Sequence, residues 1–239
     1  LPVSIEERHH AEVPGSLFRE TWVDVPTPGT VPLAHRWAVL GPAPADAAEA
    51  MRAAGASAQP FADLGAIVAA EIAPDLILLP VQGSDAAIPE AVHVAVTETV
   101  HLVQRWLAAP GLADTRLVVL TRGAVHVPGE PPPDLTVSAV RGLLRSVQAE
   151  EPGRVVLVDG DVAEVLMAMA VVDDGEDQVL VRRGAVQVPR LTRMATPAAG
   201  IEADVERARG YAERSSAIAT ALNPLIGYAR AAELVHRAV

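Results

Sequence analysis

Four short runs of Val, Ile and Leu, each followed by a longer stretch with helical spacing, constrain the fold of this chain more than any other feature. The runs are apolar throughout, whereas a strand with one wet face would carry a polar side chain at every second position. Strands that are buried on both faces and alternate with helices indicate a parallel sheet covered on both sides, so the sequence predicts an α/β, doubly wound fold. The predicted strands are 36–41, 74–81, 116–122 and 154–161, and the predicted helices are 46–54, 87–108, 134–150 and 162–171.

Two further segments mark the limits of the predicted domain. Residues 17–25 alternate apolar and polar side chains, as a half-buried strand does. Residues 178–191 place Gly184 between two short strand runs, which predicts a hairpin at the edge of the sheet. We therefore expect an N-terminal linker over residues 1–15 and one α/β domain over residues 16–195.

The last part of the chain has a different character. Residues 196–239 begin as a linker and continue as two helical stretches, interrupted at Asn223 and Pro224 because proline cannot continue a helix interior. Apolar residues such as Ile218 and Leu225 cluster in a segment too short to enclose its own core. We expect this C-terminal helical appendage to dock on the α/β domain or on the tail of a second copy, which would make a homo-oligomer.

The turn after the first buried strand is where a dinucleotide-binding sheet holds a pyrophosphate on backbone N–H groups, at a Gly-x-Gly-x-x-Gly motif. Here residues 41–46 read Gly-Pro-Ala-Pro-Ala-Asp. Pro42 and Pro44 supply no N–H donors, and the second and third glycines are absent. We expect no cofactor-binding residue in this chain.

Residues that carry catalysis in common enzyme classes are also missing. A short-chain reductase needs a tyrosine with a lysine four residues later, and the chain contains no lysine. Tyr211 and Tyr228 are therefore expected to serve in packing. No serine lies in a Gly-x-Ser-x-Gly elbow, and the absence of cysteine removes thiolate chemistry and disulfides. We expect no catalytic residue.

Three groups of side chains raise the question of a metal site. His93 and His101 lie two helical turns apart, about 12 Å, which is too far to share an ion. Asp159 and Asp161 flank Gly160 at the carboxyl end of a predicted strand. A magnesium site is one interpretation there, and a turn with Asp161 as a helix cap is the favoured one. The acidic run 173–177 lacks the alternating ligands of a calcium loop and predicts a solvated turn. We expect no metal.

The charge of the chain argues against two classes of partner. A formal net charge of -11 would repel phosphate backbones and anionic lipids, so we expect neither nucleic acid nor a membrane surface as a partner. The longest apolar stretch, near residues 163–172, is too short to cross a bilayer, and the first residues do not resemble a secretory signal. A cytoplasmic location is the expectation.

Residues 134–161, DLTVSAVRGLLRSVQAEEPGRVVLVDGD, resemble the most recognisable stretch of modular type I polyketide synthase ketoreductases. In that family an Ala-Val-x-Gly-Leu-x-Arg-Ser helix leads to Glu-x-Pro-Gly-Arg and a strand that ends in Asp. Residues 17–26 and 175–193 look like the opening strand and the end of the structural subdomain, so the resemblance covers about 16–195. One departure is Arg141, where the family usually has tryptophan.

The resemblance implies a truncated, Rossmann-like and mostly parallel sheet that binds no cofactor itself. In the family a catalytic subdomain follows and holds NADPH, but its glycine-rich motif does not appear after Arg193. The implied function is a non-catalytic structural subdomain that supports the reduction of β-ketoacyl groups on acyl carrier protein. The implied partners are the catalytic ketoreductase subdomain and other polyketide synthase domains.

Residues 200–239 instead resemble the C-terminal helices of the fumarase and aspartase superfamily, notably at ALNPLIGY. The superfamily's Gly-Ser-Ser loop is absent, so Ser215 and Ser216 receive no catalytic role. Two other functions stay open: an interaction or oligomerisation module with a helical tail, and a fragment derived from a lyase. An engineered fusion, an unusual natural module end and chance similarity all stay open as explanations of the junction.

Overall fold

The computed structural model describes residues 18–26, 35–70, 72–84 and 86–193. Residues Arg19–Thr192 form one compact unit, and the second unit, Leu1–Phe18 with Arg193–Val239, lies almost wholly outside the described residues. The strands are β1 Phe18–Asp24, β2 Arg36–Val39, β3 Ser57–Pro60, β4 Leu76–Pro80, β5 Arg116–Thr121, β6 Val155–Asp159, β7 Gln178–Arg182 and β8 Ala185–Arg193. The α-helices within the described residues are α1 Pro44–Ala53, α2 Leu64–Val68, α3 Ile88–Leu107, α4 Leu135–Glu150 and α5 Val165–Val172.

The strands form one sheet in the order β1-β8-β7-β6-β5-β4-β2-β3. Neighbours from β3 to β7 pair in parallel, and β7 pairs with β8 in antiparallel fashion. The β1 strand runs antiparallel to β8, because Thr21 lies beside Thr192 while Val25 donates to Val186. Chain order reverses between β2 and β4, which is the switch point of the sheet.

Helices cover both faces of the sheet, and alternate strand residues point to each face. On one face the core joins Val39 of β2 and Val158 of β6 to α1 and α5. On the other face it joins Ala38 and Leu157 to α2, α3 and α4. The predicted doubly wound, mostly parallel Rossmann-like fold is confirmed.

The α4 helix begins where the sequence predicts, because the Asp134 carboxylate accepts hydrogen bonds from the first free backbone N–H groups, Thr136 at 2.8 Å and Val137 at 3.3 Å. Val137 is buried, as the helical spacing of its apolar residues predicts. Val140 and Leu144 are likewise buried, whereas Val147 is only half-buried at the margin of the core.

The predicted hairpin is confirmed, with a two-residue turn between β7 and β8, but its predicted place at the edge of the sheet is wrong, because β1 pairs with β8 and forms that edge. Arg183 at φ 53° and Gly184 at φ 79° both lie in the left-handed region, which matches the twist of the two strands. The predicted helix 162–171 is instead a 3-10 turn, Val162–Glu164, followed by α5. None of the helices among the described residues is long and apolar enough to span a bilayer.

Two observed elements were not predicted, β3 and α2. The β3 strand reads Ser-Ala-Gln-Pro and buries only Ala58, because it is the edge strand of the sheet. The α2 helix has five residues, too few to show a helical period. The predicted helices of residues 196–239 lie outside the described residues.

Candidate functional site at the carboxyl edge of the sheet

A crevice of about 500 Å³ opens at the switch point, beyond the carboxyl ends of β2 and β4. In doubly wound sheets this is where ligands bind. Its walls are the turn at Gly41 and Pro42, residues 79–83 at the end of β4 and just beyond it, and the side of α3 from Ala95 to Leu102. The lining is mostly apolar, and Glu98 is its one ionisable side chain.

The turn at Gly41 determines whether a pyrophosphate fits this crevice. Gly41 has φ +104°, and a Cβ on it would lie 3.1 Å from the Pro80 carbonyl oxygen, so the turn packs tightly against β4. Pro44 occupies the first position of α1 and removes that N–H donor, and Ala43 gives no side-chain cap. Asp46 adds a carboxylate to the same helical turn. With proline also at position 42, the turn lacks N–H donors that the pyrophosphate-binding turn of a dinucleotide fold uses.

Asp159, at the carboxyl end of β6, is fully buried and accepts hydrogen bonds from the loop that joins β5 to α4. Backbone N–H groups donate from Gly123 at 3.0 Å, Ala124 at 2.6 Å and Val125 at 3.1 Å. The Thr121 hydroxyl donates at 3.1 Å. A carboxylate held in this way fixes the loop to the edge of the sheet.

Arg182, at the end of β7, balances the charge of this carboxylate. Its Nη2 donates to Asp159 Oδ1 at 2.6 Å, its Nη1 to the Asp159 carbonyl at 2.8 Å, and its Nε to Glu130 at 3.0 Å. Burial alone would lower the pKa of Arg182, but hydrogen bonds to Asp159 and Glu130 outweigh it and raise that pKa. The cluster is a structural clamp in which two carboxylates share one guanidinium.

The two aspartates that sequence reasoning paired have different roles. Asp161 is an exposed residue that caps the following 3-10 turn, in a reciprocal capping box with Glu164, as expected. The Asp159 carboxylate instead accepts hydrogen bonds from residues that lie 34 to 38 positions away in the sequence. No group of three metal-ligating His or carboxylate residues occurs in the described ranges.

The acidic run at 173–177 is more than the solvated turn that was predicted. Asp173 accepts from Arg116 at 3.0 Å and contacts His35 at 3.3 Å, and Glu176 pairs with Arg190. Burial alone would raise the pKa of Asp173, but hydrogen bonds from Arg116 and His35 outweigh it and lower that pKa. These pairs join distant parts of the chain.

The remaining candidates lie either on the surface or outside the described residues. His93 and His101 are exposed on α3, as expected of surface histidines. Tyr211, Tyr228, Ser215 and Ser216 lie outside the described residues.

Arg141, where the family resemblance leads one to expect tryptophan, is 6% exposed. Its guanidinium lies over the Trp22 ring, 5.5 Å from the centroid, and Nη2 donates to Gln178 at 3.2 Å. Burial lowers the pKa of Arg141 to about 10. The sequence shows that Arg141 departs from the family pattern. It does not show that Trp22 of β1 and Gln178 of β7 contact this residue, because those contacts depend on how the strands pack beside α4.

Comparison with known families matches residues 21–191 to the family described as "Polyketide synthase extender module SpnB, Rossmann fold domain". The chain belongs to this family. The Rossmann domain is 36% identical over 188 residues to polyketide synthase GfsB of Streptomyces halstedii, a match that covers 78% of this chain and 3% of that protein. It is 34% identical over 202 residues to the spectinabilin polyketide synthase system protein NorB of Streptomyces orinoci, covering 80% of this chain and 9% of NorB. The chain thus spans less than a tenth of either relative.

Solved structures support the same fold. The Rossmann domain superposes on A-type ketoreductases from modular polyketide synthase with a TM-score of 0.53 and 24% identity, covering 77% of this chain and 43% of that one. A C2-type ketoreductase from a modular polyketide synthase superposes with a TM-score of 0.52 and 23% identity, covering 75% of this chain and 43% of that one. The family match and the relatives identify a Rossmann domain of polyketide synthases, and the solved ketoreductase structures share its fold. The suggested fumarase-like character of residues 200–239 gains no support, since the family match ends at residue 191.

Proposed function

We propose that this Rossmann domain is the non-catalytic structural half of a ketoreductase. It would pack against a catalytic half that holds NADPH and so support the reduction of β-ketoacyl groups on acyl carrier protein. The observation that carries the proposal is the turn at Gly41: the sheet has the switch point of a dinucleotide-binding fold, but Pro42 and Pro44 remove donors where the phosphate would lie.

The share of a ketoreductase structure that this chain covers supports the division into a structural half and a catalytic half. The two ketoreductase structures described above are each covered to 43% by this chain. A chain that corresponds to less than half of such an enzyme leaves room for a second half that supplies the cofactor site and the reacting groups.

The outer face of α4 offers a surface on which a second half can pack. A helix that faces only water normally carries charged residues on its outer side. On α4 much of this side consists of small or apolar residues, and a Cβ added to Gly142 would have open space around it. Leu135 is 55% exposed at the start of the same helix. The other members of this face are Ala139, Leu143, Ser146 and Ala149.

The experiment expresses this chain and the adjoining catalytic segment of the parent gene as two polypeptides. We expect no saturable calorimetric binding of NADPH to this chain alone at micromolar concentration. We expect the two polypeptides to associate and reduce a β-ketoacyl thioester together. Saturable NADPH binding by this chain alone, or full reductase activity of the catalytic segment without it, would contradict the proposal.

A matched pair of variants tests the α4 surface. The surroundings of Gly142 and Gly111 are both open, and neither residue has positive φ. We expect Gly142→Glu to weaken association at least tenfold, because it places a charge in the interface, and Gly111→Glu to leave association unchanged. Equal effects of the two variants would remove α4 from the interface.

A further inference from the structure

A second cleft, of about 390 Å³, opens between β1, α4 and the loop that joins β5 to α4. We call it the Arg141 cleft. Glu20 and Trp22 line it from β1, Arg141 and Arg145 from α4, and His126 from the loop.

Arg141 is the feature of this cleft that its surroundings do not satisfy. Its Nη1 is buried and has no hydrogen-bond partner among the described residues. A buried guanidinium is ordinarily paired with a carboxylate, because an unpaired buried charge is unfavourable. Glu20 lines the same cleft, but it pairs with Arg145 at 3.1 Å instead.

The wall of the cleft is held in place before any ligand arrives. Ala124 and Val125 line it, and their N–H groups donate to buried Asp159. The Ser138 hydroxyl donates to the Ala124 carbonyl at 2.9 Å. A wall fixed in this way loses little conformational freedom on binding.

The charge of the cleft differs in sign from that of the chain. Two guanidinium groups face one carboxylate here, while the whole chain carries a formal net charge of -11. A guanidinium pairs with a planar carboxylate through two parallel hydrogen bonds, which a backbone carbonyl or an amide cannot reproduce. The missing partner is therefore expected to be a carboxylate.

We propose that the Arg141 cleft binds the carboxylate of an Asp or Glu side chain from an adjoining segment of the polyketide synthase polypeptide. The match to this chain covers only 3% and 9% of the two relatives, so a polypeptide of that kind has other segments that could supply the carboxylate. Gly142 belongs to both the cleft and the outer face of α4. The proposal rests on the proposed function only for the identity of the partner. Because Nη1 is not exposed, the guanidinium must turn toward the cleft for full pairing.

The test uses the isolated full chain and two matched peptides, N-acetyl-Ala-Glu-Ala-amide and its Gln counterpart, followed by the NMR signal of Arg141 Nε–H. We expect a saturable shift with the Glu peptide and none with the Gln peptide. Identical responses to both peptides would overturn the proposal. An equal response to acetate at the same concentration would overturn the assignment to a polypeptide side chain. NADPH binding and association with a catalytic half are separate measurements, so the two proposals fail independently.

Two variants keep the test informative if one of them folds poorly. Arg141→Met lacks the Arg141 reporter, so in this variant the response is followed by the indole N–H signal of Trp22, which lies beside Arg141 in the cleft and is also recorded for the wild type. We expect the Trp22 signal to respond to the Glu peptide in the wild type and not in Arg141→Met. In Glu20→Gln, a change at an exposed strand residue, we expect at least threefold tighter binding, because the competing carboxylate is removed and Arg145 is released. Unchanged affinity in Glu20→Gln would contradict a carboxylate site in this cleft.

Discussion

Asp159 and Arg182 close the carboxyl edge of the sheet as a pair: the Arg182 Nη2 group donates to Asp159 Oδ1 at 2.6 Å, and the Asp159 side chain is completely buried. The same carboxylate holds three consecutive N–H groups of the loop after β5. That loop forms one wall of the Arg141 cleft. The pair therefore connects the stability of the sheet to the shape of a surface cleft.

The first prediction concerns Asp159→Asn. The amide keeps the side chain's size but leaves Arg182 without its buried counterion and forces an N–H₂ group against backbone donors. We expect a loss of about 3 kcal/mol in the free energy of unfolding, measured by urea denaturation, since breaking a buried pair typically costs about 3–5 kcal/mol. The matched control is Asp161→Asn, at an exposed cap where Asn serves as well as Asp. A loss of less than about 1 kcal/mol in Asp159→Asn would contradict the role assigned to this clamp.

The second prediction tests the turn at the switch point. Gly41→Ala places a Cβ 3.1 Å from the Pro80 carbonyl oxygen at a backbone φ of +104°. Both the close contact and the left-handed φ disfavour alanine, so we expect a loss of about 1–3 kcal/mol in the free energy of unfolding. Gly111→Ala has open space and no positive φ, and should change it by less than about 1 kcal/mol. Equal unfolding free energies for the two variants would show that the turn tolerates a side chain.

Strands whose own residues carry a clear pattern could be predicted from the sequence, whereas contacts between residues far apart in the chain could not. The four apolar runs predicted β2, β4, β5 and β6, because burial on both faces leaves a direct mark on each strand's own residues. The β3 strand was missed because its Ser, Gln and Pro residues are exposed at the sheet's edge. The prolines at 42 and 44 are also a local signal, and the structure places Pro44 at the start of α1.

The environments of Asp159 and Arg141 could not be predicted in the same way. The hydrogen-bond partners of the Asp159 carboxylate lie 23 to 38 residues away in the chain. Gln178, which accepts from Arg141, is 37 residues away. The order of the strands and the packing of the helices bring these hydrogen-bond partners together, so no short sequence motif predicts them.

The third prediction concerns pH. The pKa of Asp173 is lowered in the folded state, so its stabilising contribution is present above the unfolded value near 3.8 and is lost as pH falls through the lower folded value. We expect Asp173→Asn to lower the free energy of unfolding by up to about 1 kcal/mol at pH 6. The difference from wild type should shrink as pH falls below 3.8, and urea midpoints measured across this range would show it.

Asp174→Asn is the control for that series. Asp174 is next to Asp173 at the end of α5, so both substitutions change the interaction with the helix dipole in the same direction. The Asp174 side chain forms no hydrogen bond or ion pair within the described ranges. A pH dependence shared by the two variants would assign the effect to the dipole and not to Arg116 and His35.

The last prediction concerns residues 200–239. Among the described residues, the buried members of both core clusters lie between Trp37 and Val188, so we expect the sheet to keep this core when the segment is removed. We expect a chain that ends at residue 199 to keep its circular dichroism spectrum and a cooperative melting transition. The apolar residues of the segment, including Ile218, Leu222 and Leu225, are expected to join two copies, so the truncated chain should show a lower mass by light scattering. Loss of cooperative melting would show that the segment belongs to the core of the domain, and an unchanged mass would exclude it as the source of assembly.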